Sequence, residues 1–211
     1  MEYFLSLSNT RTYKSMQYNI AGYLLFAFIT AITPGPNNLL LFSMGKAYGL
    51  KSSVNAMAGI FLGFFTLLYL SGYGIGWLIT SNPHLAIVLK IAASAWFVYL
   101  AFLIKNLNSN DSNTTVGVVG FKQAYAMQFL NPKAWIMAIN GATVFMPNFS
   151  NTHLNVFVFA CIFNIVGIPC MLFWVLMGDS VSRLLKSQRA NQIISYTIVV
   201  LMLLCIVTVW L

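Results

Sequence analysis

Ile32-Thr33-Pro34-Gly35-Pro36-Asn37-Asn38 reads ITPGPNN and stands between the apolar run AGYLLFAFITA and the apolar run LLLF. Two prolines, a glycine and two amides interrupt what would otherwise be one membrane helix, and the reading of that interruption decides the fold. Neither Pro34 nor Pro36 has an N–H, so the carbonyls of Thr30 and Ile32 lose their helical donors, and each ring pushes the preceding turn open. In hydrocarbon such carbonyls survive only where protein or a wet cavity covers them. Gly35 permits the close approach and unusual dihedrals of a change in direction. Asn37 and Asn38 then sit at the head of a new half-helix.

The surrounding chain is a membrane protein by composition. Of 211 residues, 59% are hydrophobic and only 7% charged, and the mean hydropathy is +0.80. A water-soluble domain needs far more polar surface. Five apolar runs approach the roughly 20 residues that cross a hydrocarbon core as a helix: Val54 to Ile79, Leu85 to Ile104, Gln123 to Met146, Leu154 to Met177 and Ile193 to Leu211. Ile20 to Phe42 makes a sixth if it includes ITPGPNN. Barrel strands would be shorter and would alternate, so the expected fold class is all-α, integral to the membrane, with six spans. The polar tail 1–19 shows no small-residue cleavage site, so the first span reads as a retained anchor.

The net charge of +8 does not point to nucleic acid, because the basic residues fall at helix ends. Lys46 and Lys51 follow span one, Lys105 and Lys122 follow span three, and Arg183, Lys186 and Arg189 follow span five; the loops SNPH and PNFSNTH have none. The positive-inside rule places the basic loops in the cytoplasm and both termini outside. Arg11 and Lys14 on the tail oppose that assignment but are outnumbered.

The polar linker 106–120 separates residues 20–105 from 121–211, three spans each. Halves with an odd number of spans enter the membrane from opposite faces, so related halves would form an inverted repeat. Phe129-Leu130-Asn131-Pro132-Lys133-Ala134 is the matching feature, with Pro132 98 residues after Pro34. Paired interruptions at corresponding positions are the best sequence pointer to a transporter site at the midplane. Asn131 precedes Pro132 as an N-cap precedes a proline at the first helical position. Two half-helix N-termini would then offer amides and positive dipole ends to a carboxylate. Lys133, the only charge in span four, would favour the same anion. Carbonyls of Thr30, Ile32 and Gln128 would accept from a substrate ammonium. Together these partners fit a zwitterionic amino acid, and the expected substrate-binding set is Pro34, Gly35, Pro36, Asn37, Asn38, Asn131, Pro132 and Lys133.

Each feature also has a plainer reading. Lys133 could snorkel or pair with a carbonyl and so fix the fold. Gly59 and Gly63 form a GxxxG close-packing device, and Lys90 snorkels from near the end of span three. Tyr69, Tyr73, Trp96 and Tyr99 are weak pocket candidates, and His84 and His153 belong to solvated loops. Asp179 is the one carboxylate near the membrane and has Arg183 at i,i+4 spacing, the mark of a salt bridge. Cys161 and Cys170 lie about 13 Å apart along one helix, too far for a disulfide, and no metal-ligand spacing occurs. An intramembrane enzyme would need a nucleophile with a base or a metal set, and neither is present. No cofactor is expected. A non-transporting assembly or sensor protein is the alternative function, but it would not require two matched breaks.

AITPGPNNLLLFSMGKAYGLKSS, AGIFLGF, AWFVYLAFLIK and FLNPKAWIM together resemble the LysE/RhtB family of bacterial amino-acid exporters, over Ile20 to Leu211. The family's motif falls on Pro34, Gly35 and Pro36, and its second break on Asn131, Pro132 and Lys133. TPGPNN with the stretch to AGIFLGF most resembles the cysteine and O-acetylserine exporter branch. That resemblance implies export of a small neutral amino acid across the inner membrane, with threonine, homoserine and leucine as further candidates. The absence of an intramembrane acid disfavours a cationic side chain. The partners expected are the substrate, the lipid bilayer and, by analogy with transporters of this size, a second copy in a homodimer.

Overall fold

Proline sets where the helices stop. The computed structural model describes residues 20–76, 81–107, 119–147, 149–184 and 187–210. Among them the helices in chain order are α1 (Ile20–Ile32), α2 (Pro36–Gly72), α3 (Pro83–Leu107), α4 (Phe121–Leu130), α5 (Pro132–Phe145), α6 (Thr152–Leu184) and α7 (Gln188–Trp210). The polar tail, most of the linker, Lys186 and the end of the second expected span lie outside the described residues.

Among the described residues four helices are long and apolar enough to cross a membrane, namely Pro36–Gly72, Pro83–Lys105, Thr152–Leu184 and Gln188–Val207. They correspond to expected spans two, three, five and six. The segments expected as spans one and four are not in that count, and each is interrupted, α1 from α2 at Thr33–Gly35 and α4 from α5 at Asn131.

The expected loop between spans one and two is reduced to one residue. Gly49 has φ 75° and ψ −176° inside α2, a left-handed conformation that only glycine adopts cheaply. It turns segment 36–48 into segment 50–72, with Lys46 and Lys51 flanking it. α6 passes through Pro169 without stopping.

Lipid tails are as apolar as leucine, so packing between these helices rests on close approach and polar contacts rather than on excluding water. Segment 50–72 meets α4 through the GxxxG pair: a Cβ on Gly59 would lie 2.3 Å from the Phe121 carbonyl oxygen, and one on Gly63 2.6 Å from that of Tyr125. Segment 36–48 meets α6 in the same manner. Cβ atoms on Gly45 and Gly178 would lie 2.1 Å from Val175 O and 2.0 Å from Phe42 O, respectively. α3 packs on α7.

Two buried clusters result. One gathers Leu40, Phe97, Leu100, Met127, Val175 and Met202; the other centres on Tyr23, Leu67, Leu68, Ala138, Phe159 and Phe163. The ends of the bundle pair as well. Lys46 Nζ donates to Asn191 O at 3.2 Å and Ser195 Oγ at 3.1 Å, so the turns after spans one and five are neighbours. Tyr73 Oη and His153 Nδ1 are hydrogen-bonded, which joins the end of α2 to the first turn of α6. Lys90 Nζ lies 5.7 Å from the centre of the Trp210 ring. Arg183 Nη2 sits 2.8 Å from Asp179 Oδ2, the local pair that the spacing suggests.

Candidate functional site

The C-terminal end of α1 must dispose of its last carbonyls. Thr33 N donates to Ile29 O at 3.3 Å and Thr33 Oγ1 to Thr30 O at 2.9 Å. Asn38 Nδ2 donates to Ala31 O and Thr33 O, both at 2.8 Å. Trp174 Nε1, from α6, donates to Ile32 O at 3.0 Å. Lys133 Nζ, from α5, completes the set with Thr33 O at 2.9 Å, Thr33 Oγ1 at 2.8 Å and Pro34 O at 3.2 Å. Side chains from three elements thus close the break, and its carbonyls are not vacant as the sequence suggests; Gln128 O likewise accepts from Asn131 N at 3.3 Å. A helix interruption brings a C-terminus as well as an N-terminus to the same place, and the ammonium of Lys133 meets the negative end of α1.

The two N-termini differ. α2 begins at Pro36 with Gly35 as N-cap, which has no side chain to cap with. The amides of Asn37 and Asn38 have no acceptor among the described residues, while Leu39 N donates to Gly35 O at 2.9 Å. α5 caps itself: Asn131 Oδ1 accepts from Lys133 N at 3.1 Å, and Asn131 O accepts from Ala134 N and Trp135 N. The anion-binding end expected at the second break is therefore already satisfied, and the open one belongs to α2.

Amide side chains tie the breaks together. Asn37 Nδ2 donates to Gln128 Oε1 at 2.8 Å, and Gln128 Nε2 returns to Asn37 Oδ1 at 3.2 Å and reaches Ala124 O at 3.0 Å. Asn131 Nδ2 lies 3.4 Å from the same Asn37 oxygen. Gln128 is fully buried, and such a group is tolerated there because its partners are satisfied.

Beside this junction, between the two apolar clusters, lies a cavity of about 60 Å³, room for roughly four waters or a small solute on the same measure. Of the expected site residues, Gly35, Pro36, Asn37, Asn38, Asn131 and Lys133 line it. Pro34 and Pro132 shape the turns from outside the lining. Phe61, Phe64, Met137, Phe163 and Met171 give apolar walls, and Lys133 is the one charged residue among those lining it. Asn164 of α6 also lines it, is buried, and donates from Nδ2 to Ala160 O at 2.9 Å. Asn38 and Asn164 both use their NH₂ groups on backbone, so their Oδ1 atoms remain as acceptors.

The sequence alone does not mark Gln128, Asn164, Thr33 and Trp174 as side-chain contributors. Gln128 and Asn164 carried a readable signal, since each is an amide within an apolar span. The weak aromatic candidates lie away from the cavity lining: the Tyr69 and Tyr73 rings meet edge to face 5.2 Å apart beside His153, and Trp96 and Tyr99 lie tilted on α3 at 5.3 Å.

Long apolar helices, with two interrupted segments meeting at a mainly apolar cavity that holds a lysine and several amides, define a multi-pass membrane protein. Residues 28–209 match the family described as LysE type translocator, and the chain belongs to that family. Among similar proteins is the cysteine/O-acetylserine efflux protein of Salmonella typhimurium, 29% identical over 168 residues that cover 78% of this chain and 84% of that one. The proteins of the same name from Klebsiella pneumoniae and Escherichia coli O139:H28 are 27% identical over 165 residues and 26% identical over 192. The first alignment covers 78% and 84% of the two chains, and the second 90% and 97%. No solved structure gives a significant match.

Proposed function

We propose that this chain exports a small neutral amino acid of the cysteine or O-acetylserine type from the cytoplasm, by alternating access about the central cavity. The observation that carries this reading is the convergence of both helix breaks on a cavity with a single charge, in a translocator whose relatives are named for that efflux. The substrate carboxylate takes the first-turn amides of Asn37 and Asn38, where the α2 dipole end is positive, and replaces Pro34 O as one of the three acceptors of the Lys133 ammonium. The ammonium group takes Asn38 Oδ1 and Asn164 Oδ1. The side chain rests against the phenylalanine and methionine walls.

Exchange of partners between the halves supports an inverted repeat of six spans. Segment 36–48, the continuation of the first broken span, packs on α6, and α4 of the second broken span packs on segment 50–72. Movement of one half against the other would expose the cavity to each face in turn. The paired basic ends support cytoplasmic turns after spans one and five, with periplasmic termini, in the inner membrane, where a homodimer is the expected assembly.

Efflux of labelled cysteine, O-acetylserine, threonine and leucine from cells or vesicles tests the reading. Selective efflux of the first two is expected. Well-folded protein that moves none of the four would sink it in favour of another solute or a non-transporting role.

A further inference from the structure

The cavity walls contributed by α1, α2 and α5 hold the charge and most of the amides, whereas α6 contributes Phe163, Asn164, Gly167 and Met171. Their spacing of three to four residues is one face of a helix. Gly167 is the anomaly on that face. A glycine inside a helix costs about 1 kcal/mol relative to alanine. At Gly45 and Gly178 the cause is visible, since a Cβ would collide with a neighbouring backbone. Gly167 has no such cause: positive φ occurs at Gly49 and Gly74 alone among the described glycines, and a Cβ on Gly167 would meet nothing within 4 Å. Gly167 lines the cavity, and the position its side chain would take is open space.

We propose that Gly167 sets the largest substrate side chain the cavity admits, the volume left by its missing side chain being occupied by that of the substrate. The inference rests on the exporter reading above and deepens it. The admitted class is amino acids with short, uncharged side chains. Phe163 and Met171 beside Gly167 are apolar, and among the described residues no acid lines the cavity to pair a cationic side chain. Pro169, two residues on, offers a competing cause. It withholds a donor from the Ile165 carbonyl, so Gly167 could instead serve as part of a hinge in α6. A hinge and a size limit differ in one respect: a hinge slows every substrate alike, whereas a size limit discriminates.

The experiment measures efflux of alanine, cysteine, O-acetylserine and leucine by the full chain and by Gly167→Ala and Gly167→Leu, each normalised to folded protein. A wild type that exports none of them overturns the exporter reading and this inference with it. With wild-type export established, Gly167→Ala lowers the efflux ratio of the bulkiest to the smallest exported substrate at least tenfold, since one methylene in an apolar pocket discriminates by roughly 10- to 200-fold. Gly167→Leu stops all of them. Equal loss of every substrate in Gly167→Ala, or continued export of the bulkiest by Gly167→Leu, overturns the size limit while leaving the exporter reading intact. The thermal midpoint of Gly167→Ala serves as the folding control, and it stays at or above that of wild type because alanine favours the helix and meets no neighbour.

Discussion

Lys133→Met removes the charge from the cavity wall while keeping an unbranched side chain. Its structural cost can be followed bond by bond. Thr33 O keeps its bond from Asn38, and Thr33 Oγ1 keeps Thr30 O as its acceptor. Pro34 O alone loses its partner. One orphaned carbonyl costs about 1–3 kcal/mol, and Pro34 is exposed, which puts the loss near the lower figure. Transport loses more. A charge-assisted bond to a carboxylate contributes about 1.5–3 kcal/mol, less the Pro34 O bond it replaces, so substrate affinity falls by up to roughly 150-fold. The assay pairs efflux per folded transporter with the melting temperature of the purified protein. Export within twofold of wild type from protein that melts normally would refute the role given to Lys133 and leave it as a cap on α1. Lys133→Arg keeps the charge but crowds Gly35, and intermediate export is expected.

Gly35→Ala should lower export about tenfold with little change in melting. Its φ of −176° is open to any residue, but the new Cβ would sit 2.9 Å from Lys133 Cδ and 3.1 Å from Nζ, displacing the ammonium. Gly178→Ala should reduce stability by about 3 kcal/mol or more, read as a collapse in folded yield, because the obstacle 2.0 Å away is the Phe42 backbone oxygen rather than a flexible side chain. Asp179→Asn should leave export within twofold and stability within about 1 kcal/mol; its Arg183 partner is 75% exposed and the pair is local. Loss of export in that variant would give Asp179 a part in coupling.

The long spans were legible because uninterrupted apolar runs have one stable form in a bilayer. Proline marked the breaks in spans one and four for a similar reason, as no other residue both removes a donor and blocks the preceding turn. What the sequence did not disclose is which end of which helix each polar group serves. Lys133 and Thr33 are 100 residues apart, and nothing local says that an ammonium in span four will cap a carbonyl end in span one. The turn after span one was hidden by the lysines around it, which read as a polar loop, whereas Gly49 alone suffices to reverse the chain. Asn164, set in FNIVGIP, reads as an ordinary core amide until the cavity beside it is seen.

The two breaks look alike in sequence, each with a proline and an asparagine at the start of a helix, yet their orphan groups are satisfied differently. At the second break Asn131 lies immediately before Pro132 and caps its own helix. At the first, glycine holds the capping position and the asparagines come after the proline, so Asn38 turns back onto α1 and Asn37 reaches across to Gln128. One break is thereby finished within its own half, and the other is completed by Gln128, Lys133 and Trp174 from the other half of the chain. The unfilled amides remain at α2, beside the ammonium that the second break supplies. A ligand that binds there touches the groups holding the two halves together, which is the arrangement a carrier needs if occupancy is to bias how one half moves against the other.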